Sequence, residues 1–511
     1  MIKTIVSPLI LNNQQQSASD TLVEYILYNT DGKMCLLSGW AGTGKSTIIN
    51  YVVNKVKELG YKGKFGMTAT TNKAVRILKA TNVNPMLFEF GTIHSFCGLV
   101  QEIQYNGNVV YKPDFASKKE LKIRKIDVLI VDEASMLNKE LFTVVHDYSK
   151  KYGFKVIFVG DAAQLPPINE KIADPFLPST QKSHNIKVIE LTEIMRQASD
   201  NPIIKYATDI RTNVLNNVYD KTDARLEWKS PEQLISSLKQ YFDTSEFTKD
   251  SNYAKVLAYR NVTVDRYNQI IRELIYKKSN LPKILVGEQL IADKPIMTFD
   301  FMLNAWVMVI PTNEELEVLN VLENNADYQI KVNVLQQVPY TFLTADEAME
   351  YGWHKFDAIT KQQIENHKFH IPLTIQIAEW KEETYKFKVY KCDVACIIND
   401  VVTKRTIDIL HESSEKDFSA LLNILKQSAL KTTDQKIRGK IWGQYYELQN
   451  HFAWTKYNYA ITVHKSQGST YTNCIMHKWD IETNFNKAEV QALKYVAATR
   501  AREKLIIVNT Y

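Results

Sequence analysis

Short apolar runs and helix-spaced apolar positions alternate along the first part of this chain. Met34-Cys35-Leu36-Leu37 is an unbroken apolar run, the pattern of a strand covered on both faces. After it, Ile48, Ile49, Val52, Val53, Val56 and Leu59 recur at the spacing of one helix face, and Gly60 stands where a helix would be capped. Phe65 to Thr70, Val128 to Val131 and Val156 to Val159 are further strand-like runs with amphipathic stretches between them. That alternation predicts an α/β fold with a doubly wound parallel sheet. Val256-Leu257-Ala258-Tyr259 predicts the first clear strand of a second such unit. Between Leu290 and about Trp454 strand-like alternation takes over, with Ile330, Val332 and Val334 on one face and Tyr385, Phe387 and Val389 facing away from Lys386 and Lys388. Helical pieces interrupt it. Thr344 and Glu347 have capping-box spacing with Gly352 as a stop, and Phe418, Leu421, Leu422 and Leu425 repeat helically. Gln101 to Tyr105 and Asn108 to Tyr111 flank Asn106-Gly107, the signal for a β-hairpin with a type I′ turn.

Composition narrows the class. A chain of 511 residues exceeds one ordinary core, so about two to four domains are expected. Hydrophobic residues make up 45% and charged residues 23%, a globular balance. No apolar run approaches the roughly 18 residues of a membrane span. The first residues, MIKTIVSPLILNNQQQ, lack a small-residue cleavage site and read as a first strand. Five scattered cysteines suit a reducing cytosol, and Cys392 with Cys396 lacks the second pair a zinc site needs. The net charge of +6 permits nucleic-acid binding without arguing for it.

The chemistry sits at the strand ends. Gly39-Trp40-Ala41-Gly42-Thr43-Gly44-Lys45-Ser46 fits G-x-x-x-x-G-K-[ST] between a predicted strand and a predicted helix. That context aims backbone N–H groups and a helix N-terminus at phosphates, with Lys45 on the β- and γ-phosphates and Ser46 on Mg²⁺. Val128 to Val131 runs into Asp132 and Glu133. In an open α/β sheet, ligands bind at that strand end, so Asp132 is a candidate metal ligand and Glu133 a candidate base for water. Gln164, after a third strand, is placed to sense a γ-phosphate.

Taken in order, GWAGTGKST, TATTNKA, TIHSF, VDEASM, GDAAQLPP, LTEIMRQ, YAITVHKSQGST and YVAATRAREKL resemble the motifs of superfamily 1 helicases of the RecD/Dda-like branch. The resemblance spans Gln15 to Arg502. It implies two RecA-like motor domains, an ATP-dependent DNA helicase moving 5′→3′, and ATP and Mg²⁺ as cofactors. The implied division is a first motor domain over 1–190 with a pin hairpin at about 97–125, and a second over 191–290 plus 455–511. A mostly β, Src-homology-3-like insert would fill 291–454. Gly39, Ala41, Gly42, Thr43, Gly44, Lys45, Ser46 and Thr47 would surround the phosphates. Gln15 would meet the adenine edge, although only spacing separates it from Gln14 and Gln16. Arg196 would reach the γ-phosphate, and Arg500 would be the arginine finger, with Arg502 a nearby competitor. Gly468 and Gln467 would line the cleft's far side. Thr70, Thr71, Asn72, Thr92, His94, Thr462, His464 and Lys465 resemble DNA-backbone contacts, and Tyr105 at the pin would stack on a base. The basic run Lys118, Lys119, Lys122, Arg124 and Lys125 reads as a solvated face.

The implied partners are single-stranded and tailed duplex DNA, together with a single-strand-binding protein or replisome component. No membrane is expected, and the chain would be a monomer in the cytoplasm, the host's if phage-encoded. A protein-stripping translocase, or a nucleotide-gated DNA-binding subunit of a replication or recombination complex, is the alternative, and RNA remains an open substrate.

Overall fold

A computed structural model of the chain describes residues 11–28, 34–104, 106–114, 120–167, 169–194, 201–212, 225–353, 356, 358–369, 371–398 and 401–509. Tyr105, Lys118, Lys119, Arg196 and the first-strand reading of residues 1–10 lie outside these.

The first part of the chain supplies β1 (Met34–Gly39), β2 (Phe65–Ala69), β3 (Phe88–Thr92), β4 (Leu99–Ile103), β5 (Val109–Pro113), β6 (Val128–Val131), β7 (Lys155–Gly160) and β8 (Lys187–Leu191). Six of these form one sheet in the order β3-β2-β6-β7-β1-β8, with every pairing parallel. Helices Asn13–Tyr28 and Lys45–Glu58 bury Leu22, Tyr25, Ile48, Val52 and Val56 on one face. Helix Lys139–Tyr152 buries Leu141, Phe142 and Val145 on the other. Burial from both sides is why β1 and β6 read as continuous apolar runs rather than alternating ones.

The second part supplies β9 (Leu226–Lys229), β10 (Ala254–Ala258), β11 (Gln289–Ala292), β12 (Ile296–Asp300), β13 (Ala305–Ile310), β14 (Glu315–Phe342), β15 (Leu373–Ile398), β16 (Val401–Leu410), β17 (Thr455–Tyr457), β18 (Ala460–Thr462), β19 (Tyr471–Met476) and β20 (Ala501–Val508). A second parallel sheet runs β18-β10-β19-β20-β9. The insert forms an antiparallel sheet, β16-β15-β14-β11-β17, that starts at Gln289 and returns at Tyr457. In it β14 and β15 make a ribbon of 28 and 26 residues. Ile330, Val332 and Val334 are buried along this ribbon, over Phe418, Leu421 and Leu425 of helix Glu415–Lys431. Thr344 caps helix Ala345–Gly352, but the returning Glu347 carboxylate accepts from Leu343 N at 2.6 Å, one residue earlier than a capping box requires. Among the described residues no helix is long and apolar enough to cross a membrane.

The hairpin β4/β5 corrects one expectation. Ile103 pairs with Val109, and Gln104 N donates to Asn108 O at 2.8 Å. Three positions, 105–107, therefore span the turn, not the two of a type I′ loop. Gly107 takes φ +85, and its N–H closes a turn on Gln104 O at 2.9 Å. A three-residue loop ending in a left-handed glycine follows the strand twist equally well.

A buried ion pair fastens the insert to the second parallel sheet. Arg272, on helix Asn261–Tyr276, grips Glu288 through Nε at 2.9 Å and Nη2 at 2.8 Å. Tyr459 OH donates to the same carboxylate at 2.9 Å, and the guanidinium lies 4.1 Å from the Tyr457 ring centre. The side chains are 2% and 0% exposed, so removing one partner strands a charge. Glu288→Ala is expected to cost about 3–5 kcal/mol. A thermal melt checks this, with Tm falling by roughly 10 °C; an unchanged Tm would show that the pair does not stabilise this seam.

Candidate functional site

The ends of β1, β6 and β7 lie side by side, Ser38 beside Gly160 and Val131 beside Phe158. The loops that follow them carry the chemistry. Gly44, at φ +82, opens helix Lys45–Glu58, and a Cβ there would come within 2.7 Å of Gln15 Nε2. Gln15 is buried and donates through Nε2 to Thr43 O at 3.0 Å. Of the three adjacent glutamines it is the one that underpins the loop. Gln14 instead braces the segment at 192–193, its Oε1 accepting from Thr192 N and Glu193 N.

Lys45 Nζ donates to Gly39 O at 2.7 Å and Trp40 O at 3.0 Å. Burial lowers its pKa, while Asp161, Glu133 and Asp132 work against that shift. Burial and then the Glu133 charge push the Asp132 carboxyl well above its usual range, with Lys45 opposing. Asp132 and Ser46 line one small cavity. A hydroxyl and a carboxylate oxygen, the latter short of positive charge, are a donor set that fits a hard divalent cation. Glu133 sits at φ +51, a left-handed conformation costing on the order of 1–3 kcal/mol for a non-glycine residue. Gln164 is buried, and its Oε1 has no hydrogen-bond partner among the described residues.

The far wall of the cleft is built on the second parallel sheet. Tyr495 OH accepts from Ala41 N at 2.9 Å and donates to Asp161 Oδ2 at 2.6 Å. Asp161, fully buried, also pairs with Arg211. Arg211 was not singled out by any motif. Its one sequence signal is a charge in line with Ile203, Ala207 and Ile210 on helix Pro202–Thr212, whose apolar stripe is buried. Arg500 is buried within its own domain, donating to Val496 O and Ser469 O, both at 3.1 Å, and to Thr499 Oγ1. Arg502 is exposed and bonds Thr472 Oγ1. Gly468 lies against Ala74 of helix Asn72–Thr81, and Gln467 Nε2 reaches Leu165 O at 3.4 Å, so both bridge the two α/β domains.

A groove runs from Asn72, Arg76 and Lys79 past Thr92 and Lys122 to the insert. Arg76–Glu314, which lines the groove, and Lys73–Glu315, both at 2.6 Å, fix the insert to the first α/β domain. Burial opposes it, but the Lys73 and Lys255 charges hold the Glu315 carboxyl down at about 2. Thr71 and Thr92 each cap a helix, accepting from Ala74 N and Ser95 N. Thr70 contacts Met136 Sδ, and the His94 ring packs 4.4 Å from Tyr111 of the hairpin. Beside the second parallel sheet, Thr462 accepts from Lys465 N, His464 faces Glu489 at 3.4 Å, and Lys465 pairs with Asp293.

Residues 10–227 match the family described as an AAA domain, and residues 457–508 match the UvrD-like helicase C-terminal domain. The ATP-dependent DNA helicase dda of Enterobacteria phage T4 is 25% identical over 91% of this chain and 92% of its own length. The ATP-dependent RecD2 DNA helicase of Deinococcus radiodurans is 32% identical over 39% of this chain and 23% of its own. The ATP-dependent DNA helicase PIF1 of Candida albicans is 29% identical over 42% of this chain and 23% of its own. The chain belongs to the Pif1/RecD/Dda-like superfamily 1 helicases. In this helicase the turn of the β4/β5 hairpin rests on the insert. Tyr446 OH donates to Gly107 O at 2.7 Å, and a Cβ on Gly107 would lie 2.5 Å from the Trp442 ring. Trp442 and Tyr446 both stand on helix Gln435–Asn450.

Proposed function

We propose that this chain is an ATP-driven DNA helicase that moves 5′→3′ on single-stranded DNA and separates duplex DNA at the Leu99–Pro113 hairpin. The observation that carries this reading is Tyr495, whose hydroxyl joins the phosphate loop of one motor domain to the other through Ala41 N and Asp161. A nucleotide in that cleft touches both domains, so binding and hydrolysis change their separation.

The backbone from Gly39 to Thr47 cradles the phosphates, and Lys45 exchanges two loop carbonyls for β- and γ-phosphate oxygens. Ser46 and Asp132 would hold Mg²⁺, which would supply positive charge to the phosphates. Glu133 orients and deprotonates the attacking water, and Gln164 senses the γ-phosphate. Arg196 and Arg500 deliver positive charge as the cleft closes. For Arg500 that means exchanging the Val496 and Ser469 carbonyls for phosphate oxygens. Gln15 meets the adenine edge and supports the loop through Thr43 O, and Gly468 and Gln467 close the far wall.

Single-stranded DNA crosses the groove over Thr70, Thr71, Asn72, Thr92 and His94, then Thr462, His464 and Lys465. Such contacts position the backbone without reading sequence. The cations Arg76, Lys79 and Lys122 along the groove support this path. Tyr105, which precedes Asn106-Gly107 in the sequence, meets the first base pair. A single-strand-binding or replisome protein is the proposed partner, and the working form is a cytoplasmic monomer.

Two tailed duplexes test the reading, one with a 5′ and one with a 3′ single-stranded tail, with ATP and Mg²⁺ present. Unwinding of the 5′-tailed duplex alone is expected. Unwinding only from the 3′ tail would reverse the polarity and leave the motor intact. DNA-stimulated hydrolysis without unwinding would make the protein a translocase.

A further inference from the structure

We propose that Arg211 is a nucleotide-facing residue that recognises the terminal phosphate from the second motor domain and returns to Asp161 when that phosphate is absent. This rests on the ATPase reading above and names a residue outside every motif used to reach it.

The cleft beside the phosphate loop has Trp40, Ala41 and Gly42 on one wall and Arg211, Tyr495 and Thr499 on the other. The Arg211 guanidinium lies 5.0 Å from the Trp40 ring centre and 5.7 Å from that of Tyr495. The two rings hold the guanidinium at the cleft wall, a pre-organisation that suits arginine to phosphate oxygens. Asp161 takes up Nη1, and among the described residues Nε and Nη2 make no further hydrogen bond. The side chain is 12% exposed, enough to face the cleft and too little for an ordinary surface ion pair.

Charge balance gives the same answer. Asp132, Glu133 and Asp161 converge on Lys45, and Arg211 is the second cation in its field. Three carboxylates against two cations leave the site short of positive charge before any phosphate enters. A triphosphate increases the deficit, even with a divalent cation alongside. Arg500 is turned to the carbonyls of Val496 and Ser469, so Arg211 is the described arginine already standing in the cleft. Asp161 keeps this fork paired without nucleotide and, through Tyr495, ties the same switch to the Ala41 N–H of the phosphate loop.

The test compares two nucleotides by calorimetry, adenylyl-imidodiphosphate with Mg²⁺ and ADP with Mg²⁺, on the full chain. In Arg211→Gln the triphosphate analogue is expected to bind about tenfold more weakly, with ADP within about twofold of the parent protein. A residue that only props the fold would weaken both alike. Equal losses, or none, overturn the proposal. If Arg211→Gln does not fold, Arg211→Lys carries the same comparison. It keeps the charge on Asp161 and loses the planar fork, so a selective loss of about threefold is expected, and parent-like binding of both nucleotides overturns the proposal. A parent protein that binds neither nucleotide overturns the ATPase reading itself.

Discussion

Replacing Lys45 by alanine is expected to lower DNA-stimulated ATP hydrolysis by about a thousandfold or more. In the structure the Lys45 ammonium is buried and satisfied by the carbonyls of Gly39 and Trp40. Burial disfavours its charge, and the acids Asp161, Glu133 and Asp132 support it. An ammonium held this way is pre-placed for an incoming polyphosphate, which replaces two neutral carbonyls with formal negative charge. The gain grows as charge shifts in the transition state, so the loss falls on turnover as well as on affinity. The variant gives up two loop hydrogen bonds, and a Tm within a few degrees of the parent separates lost chemistry from lost fold. Steady-state hydrolysis with and without single-stranded DNA is the measurement. A variant retaining a tenth of the parent rate would show that Lys45 does not carry the phosphates.

The strands that carry this site were legible because the parallel sheet is covered on both faces. Met34 to Leu37 and Val128 to Val131 had to be apolar throughout, and their polar ends, Ser38-Gly39 and Asp132-Glu133, marked where the core stops. The phosphate loop was legible for the same reason that it works: Gly44 must be left-handed beside Gln15. Arg211 was not, since one charge on an otherwise apolar stripe of helix Pro202–Thr212 carries no spacing of its own, and its partner Asp161 lies 50 positions away. The inward turn of Arg500 was equally hidden, because three acceptors decide it, one of them 31 positions away, and no pattern encodes them. Asn106-Gly107 announced a hairpin correctly, whereas the loop length follows from the pairing of Gln104 with Asn108. The 28-residue length of β14 was invisible for a related reason: alternation signals a strand, and only its partner, β15, fixes how far it runs.

Wedging by the hairpin, as proposed, requires the turn to be rigid, and an isolated two-stranded hairpin is marginally stable in water. Here β4/β5 gains rigidity at both ends. His94 packs on Tyr111 near its base, and Trp442 with Tyr446 receives its turn. Gly107→Val attacks that second support twice over. A β-branched residue resists φ +85, and its Cβ would fall 2.5–2.8 Å from Trp442 ring atoms. The turn must lift from helix Gln435–Asn450, taking the tip out of line with the fork. A displacement of about 1 Å in a positioning element can cost on the order of a hundredfold. Strand separation on the 5′-tailed duplex is therefore expected to fall by about a hundredfold. ATP hydrolysis on single-stranded DNA should stay within about twofold, because the hairpin touches neither Lys45 nor Asp132. Tyr446→Phe, which removes only the 2.7 Å bond to Gly107 O, should show the same split more weakly. If Gly107→Val unwinds like the parent while hydrolysis is unchanged, strand separation occurs elsewhere in the molecule. If hydrolysis falls in step with unwinding, the turn acts on the motor rather than on the fork.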